Sequence, residues 1–228
     1  MLHASPLAPA RDTMDAPALA SGPLGIVEAL LKSPASIVGA LRDGNDVLFR
    51  LTATIAVSLG AAGLGVASFS GGLQFFLVPL KLALGVFFCA LICLPSLHVL
   101  SCLSGARQSL RETWSALLMG VALTGLLLVG FAPIAWIFSQ ATTSVAFMGA
   151  LHVVFLVISC VFGLALVNRT LAAMNTTPMR GLRVWSALFL LVVFQMTTTL
   201  RPLVGTASGV GLEGRLFFFT HWVSAIAG

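Results

Sequence analysis

Five apolar runs set what this chain can become. They cover about Leu48–Phe69, Leu82–Leu103, Trp114–Phe138, Val145–Val167 and Val184–Leu200. Each is close to the roughly 20 residues that a helix rising about 1.5 Å per residue needs to cross about 30 Å of hydrocarbon. Water cannot satisfy peptide groups at that depth, so a run of this length crosses as a helix that bonds its own backbone. The predicted fold class is all-α: a polytopic transmembrane helical bundle of five spans.

Composition agrees. Of 228 residues, 58% are apolar and 8% charged, whereas a soluble domain carries about 25% charge. A water-soluble enzyme, a disordered regulator and a nucleic-acid binder are excluded as classes. The net charge of +5 looks like a phosphate-binding surplus, but the basic residues sit at the joints between apolar runs. There they report topology. With the N-terminus in the cytoplasm, the inner side receives Arg11, Lys32, Arg42, Arg50, Arg107, Arg111, Arg169, Arg180 and Arg183, while the outer side receives Lys81, Arg201 and Arg215. Nine against three predicts N-in and C-out.

Four regions follow. Residues 1–23, rich in Ala and Pro and without an apolar core of signal-peptide length, read as a disordered cytoplasmic tail. Residues 24–46 read as interfacial amphipathic helices, with Ser33 and Pro34 suited to a cap and first helical position. Residues 47–202 form the five-span membrane domain. Residues 203–228 read as a Gly-rich outer loop and an interfacial aromatic helix in which Phe219, Trp222, Val223 and Ile226 fall at helical spacing. Segment 71–81, broken by paired glycines and Pro79, reads as either a re-entrant or an interfacial piece.

Candidates for chemistry are few. The seven carboxylates, Asp12, Asp15, Glu28, Asp43, Asp46, Glu112 and Glu213, all lie outside the spans, which removes the intramembrane acid or base of a proton relay. No catalytic residue is expected, and no cofactor. His98 and His152 lie within spans, and each is a weak candidate for a pigment ligand. At about 1.5 Å per residue they differ in depth by on the order of 12 Å, too far to share one iron. The competing reading is a hydrogen bond between helices. Cys89, Cys93, Cys102 and Cys160 all fall inside apolar runs without zinc spacing, and read as small hydrophobes. His98 and Cys102 share a face of the second span, but no further ligand accompanies them, so no metal is expected.

Lys81, Arg201, Gln195 and Trp222 are the expected lipid or partner contacts. Lys81 and Arg201 belong at the outer interface, where they snorkel to phosphates or hold an anionic group. Gln195 is the most polar group deep in the last span, and Thr197, Thr198 and Thr199 follow it. Pro95 and Pro133 fall inside spans and each removes a backbone donor. Ala116, Gly120 and Thr124 recur every four residues, as do Ala61 and Gly65, which permits close helix approach within the bundle or with another subunit.

The stretch LKLALGVFFCALICLPSLHVLSCLSG and the later FQMTTTLRPLVG resemble a family of small, poorly characterised bacterial membrane proteins. In that family a CLPSLYVL-like second span and a TLRPFVG-like exit from the fifth recur. The resemblance implies a multi-pass protein of the bacterial inner membrane, to which Ala, Gly and Arg usage adds, and it carries no activity to transfer. The five-span, N-in layout is also similar to Yip-type trafficking proteins, an analogy of architecture alone. The expected function is a non-enzymatic, structural or accessory subunit of a larger membrane assembly, with the lipid bilayer and other membrane subunits as partners. The alternative is a small transporter or lipid-handling protein.

Overall fold

The computed structural model describes residues 23–32, 37, 46–70, 74–105, 108–142, 144–174 and 181–199. Among these residues there are six helices and no strand: α1 Pro23–Lys32, α2 Asp46–Ser70, α3 Gln74–Leu103, α4 Leu110–Ala141, α5 Val145–Met174 and α6 Leu182–Thr199. The tail 1–22, Arg201, Trp222 and the expected C-terminal helix lie outside the described residues.

Four of the helices contain segments long and apolar enough to cross a membrane: Val47–Ala67, Phe76–Leu103, Leu110–Ala141 and Phe147–Met174. The expected fifth span is present as α6, but its apolar part, Leu182–Met196, is shorter. That stretch rises only about 23 Å, less than a hydrocarbon core of about 30 Å. The other four overrun the expected boundaries. Gln74 to Leu103 is one continuous helix through Pro79, so from Gln74 onward segment 71–81 is the first part of a span and not a re-entrant piece. At the start of α4 the sequence Ser109-Leu110-Arg111-Glu112 builds a capping box. Ser109 Oγ accepts from the Glu112 N–H (3.2 Å), and Glu112 Oε2 accepts from the Ser109 N–H (2.9 Å). Gly105, with φ 82°, ends α3 in the left-handed turn that suits glycine.

The helices form a ring in the order α2, α4, α5, α6, α3, with α3 also touching α4 across it. The hub is α4, packed along α2 and α5 and reached by α1. Small residues set the crossings. A Cβ built on Gly120 of α4 would lie 2.8 Å from the Gly163 carbonyl of α5, and one on Gly163 would lie 2.5 Å from the Gly120 carbonyl. Backbone meets backbone here, which only a glycine pair permits. The α4 stripe of Ala116, Gly120 and Thr124 is therefore spent inside the bundle. On α2 the working positions are Gly63, seated on the Pro79 backbone, and Gly65, 3.1 Å at its notional Cβ from Ala132. Ala61 is exposed and takes no part.

Aromatic pairs close the outer half of the α4–α5 crossing. Phe131 and Phe155 stack at 4.6 Å, and Phe138 meets Phe147 at 5.8 Å. Helix α1 buries Ile26, Ala29 and Leu30 in the common core, against α2 and α4. Its apolar face thus meets protein, while Glu28 and Lys32 pair on the exposed side at 2.8 Å. The Lys32 ammonium holds the Glu28 carboxyl below its usual range, and Glu28 raises Lys32 in turn.

Candidate functional site

Polar side chains gather at the end of the bundle where α3 turns into α4 and α5 into α6. His98, one to two turns before the end of α3, places Nδ1 3.2 Å from Thr113 Oγ1 of α4. Thr113 is fully buried, accepts from Gln108 Nε2 (3.2 Å) and reaches the Ser109 carbonyl at 3.2 Å. A hydroxyl has one proton and two lone pairs. The assignment that uses every donor gives that proton to Ser109 O, so His98 donates from Nδ1 and keeps a lone pair on Nε2. Facing that lone pair, at 3.8 Å, is Cys102 Sγ.

Two more links tie this end together. Trp185 of α6 donates Nε1–H to Ser96 Oγ of α3 at 3.1 Å, and Ser96 in turn donates to the Cys93 carbonyl at 2.8 Å. Asn168 of α5 and Ser186 of α6 meet at 3.5 Å. Around them, Arg111, Arg169 and Arg183 are exposed.

The other expected residues are placed elsewhere. His152 lies toward the opposite end, in the second turn of α5, so the two histidines are not brought together. Its Nδ1 is 2.7 Å from the Met148 carbonyl and must donate to it, which leaves a buried Nε2 lone pair without a partner. On the same face of α5, two turns on, Ser159 is fully buried and its Oγ also has no partner. Thr124 Oγ1 meets the Ser159 carbonyl (3.3 Å) and the Gly120 carbonyl of its own helix (2.9 Å).

Cys89, Cys93 and Cys160 are buried in the core, with Cys89 Sγ 4.0 Å from the Val192 carbonyl. Cys102 differs from the expected small hydrophobe: it is exposed, because it sits in the last turn of α3 where the bundle no longer covers it. Among the described residues no three or more His, Cys, Asp or Glu side chains form a metal-binding group. Lys81 in α3 and Gln195 in α6 are half-buried and far apart in the chain order of the ring, on helices that share one interface.

The capping box was readable as Ser-x-x-Glu, and the His98–Cys102 pairing from its spacing of one turn. Gly163, Ser159, Gln108 and the Trp185–Ser96 bond carry no local signal, because each acquires its role only from a residue on another helix or across a turn. The chain matches no protein-family model, no curated protein and no solved structure.

Proposed function

We propose that this chain is a five-span, N-in/C-out protein of a bacterial inner membrane, a member of the small-membrane-protein family it resembles, acting as a non-enzymatic structural or accessory subunit. The observation that carries the reading is the glycine crossing of α4 on α5, where the two backbones touch and the small-residue stripe is consumed within the chain. Such packing makes a rigid scaffold, and the exposed apolar side chains of α3, α5 and α6 are left to meet lipid or other subunits. The test is purification of the tagged protein from native membranes in mild detergent. Other proteins retained in stoichiometric amounts support the reading; a chain that elutes alone, or with lipid only, counts against it.

The orientation has its own test. In a Cys102→Ser background, Ser208→Cys should label from outside intact cells and Arg180→Cys should not; the reverse pattern rejects N-in. A small transporter or lipid-handling protein is the second reading, favoured by the unpartnered His152 Nε2 and Ser159 Oγ on one face of α5. It requires that Gln195→Leu or Ser159→Ala abolish an uptake or lipid-transfer signal while expression persists.

A further inference from the structure

We infer that Cys102 is a reactive thiol, activated by His98, that accepts a long-chain acyl group from an acyl thioester and is thereby S-acylated. Three features of the geometry converge on it. The first is the pairing itself. A nucleophile, a base within reach and a third group that orients the base are the arrangement that raises thiolate character. Here Cys102 Sγ lies 3.8 Å from His98 Nε2, and Nδ1 on the far side of the ring is held at 3.2 Å by Thr113. Thr113 is itself fixed by Gln108 and the Ser109 carbonyl, so the imidazole is locked with its basic nitrogen toward the sulfur. Thr113 is a positioning residue.

The second feature is access. Cys89, Cys93 and Cys160 are 1%, 6% and 4% exposed, whereas Cys102 is open. The third is what surrounds the open sulfur. Along the same outer side of α3 run Ile92 (63% exposed), Val99 (56%) and Leu103 (80%), an apolar strip leading from Cys102 toward the membrane interior. On the other side, at the helix ends, are the exposed guanidinium groups of Arg111, Arg169 and Arg183. An apolar tail beside polyanion-binding charge is the complement of a coenzyme A thioester of a fatty acid.

The step balances without an outside oxidant or reductant. The Cys102 S–H proton passes to His98 Nε2, and the sulfur attacks the thioester carbonyl. A new carbon–sulfur bond forms, the bond to the donor thiol breaks, and the leaving thiolate recovers the proton from the imidazolium. The products are S-acyl Cys102 and the free donor thiol. The inference concerns a modification of the chain and goes beyond the subunit reading; it holds or fails independently of what the protein assembles with.

The experiment incubates the purified full chain, in detergent and then in phosphatidylcholine vesicles, with palmitoyl-coenzyme A and reads the acyl group by intact mass and by peptide mapping. One acyl group on Cys102, absent in Cys102→Ser and formed on the order of 100-fold more slowly in His98→Gln, is the expected result. Thr113→Val should slow it by an intermediate factor. A measurement on the unaltered chain guards against a misfolded variant: iodoacetamide should alkylate Cys102 at pH 7 up to about 30-fold faster in the folded protein than in the unfolded chain, since a free thiol is only a few per cent thiolate there. Equal alkylation rates, acylation indifferent to His98, or fast alkylation without acyl transfer would each overturn the inference.

Discussion

The α4–α5 crossing allows a stability change to be worked from geometry. In Gly163→Ala the new Cβ would stand 2.5 Å from the Gly120 carbonyl and against Thr124 Oγ1. Ordinary contact with a carbonyl oxygen begins near 3.4 Å, so the two helices must part by about 1 Å where they cross, or the carbonyls must tilt. Parting by that much stretches the Thr124–Ser159 bond, already 3.3 Å, beyond hydrogen-bonding range. Overpacking of this kind costs about 1–3 kcal/mol, and an interhelical hydrogen bond in a membrane protein adds roughly 0.6. Alanine's better helix propensity returns up to about 1 kcal/mol. The expected net loss is about 1–3 kcal/mol. Gly130→Ala and Gly60→Ala are the controls, because nothing stands within 4 Å of a Cβ at either site. Both should be neutral or slightly stabilising. The assay is sodium dodecyl sulfate titration in mixed micelles, followed by the fluorescence of Trp114 and Trp185. Gly163→Ala unfolding at the same detergent fraction as Gly130→Ala would refute the claim that the backbones touch at this crossing.

Glu112→Ala breaks the capping box of α4 and should cost about 1 kcal/mol in the same titration, while Glu112→Gln keeps the reciprocal bond and most of the stability. Trp185→Phe removes the indole donor to Ser96 and should cost about 1 kcal/mol, whereas Trp185→Ala empties a buried site and should cost about 3–5. Glu28 has its folded value depressed, so whatever the pair with Lys32 contributes is present above the carboxyl's unfolded pKa and fades as pH falls through the folded one. Both groups are exposed and the pair is screened by salt; Glu28→Gln should therefore leave the unfolding midpoint unchanged at high ionic strength.

How much of this was legible beforehand depends on whether a feature lives on one segment or between two. Span existence does live on one segment, since hydrocarbon thickness converts directly into a count of apolar residues, and four of the five expected runs are helices of crossing length. Span ends were misjudged because lipid does not define them: α3 starts at Gln74, ahead of Pro79, since Gly63 on α2 accepts the proline backbone. The stripe Ala116, Gly120, Thr124 announced a close crossing but not its partner. That partner, Gly163, sits in the run Phe162-Gly163-Leu164 with nothing nearby to mark it. Of the site, the His98–Cys102 face followed from helical spacing. Thr113, which sets the tautomer, could not be foreseen, because it depends on how the turn at Ser104–Gly105 folds α4 back on α3.

Ser159 separates the two functional readings. Its hydroxyl is fully buried, has no partner, and lies where α5 is pressed closest to α4. A buried hydroxyl without a partner costs about 1–3 kcal/mol, and most serines in helices relieve it by turning to their own i−4 carbonyl, as Ser101 does to Leu97 at 2.8 Å. In a scaffold whose interior does nothing but pack, Ser159→Ala should relieve that cost and raise stability by about 1 kcal/mol, with stoichiometric partners unchanged. If the hydroxyl instead serves a bound solute or lipid headgroup, the same variant gains stability and loses the transport or transfer signal. A fall in stability would reject both accounts of the group, since it would mean that Ser159 already makes a bond within the bundle. The unfolding titration and the copurification experiment on this one variant therefore separate a structural subunit from a carrier, with His152, whose Nε2 shares the same face and the same lack of a partner, as the second position to change.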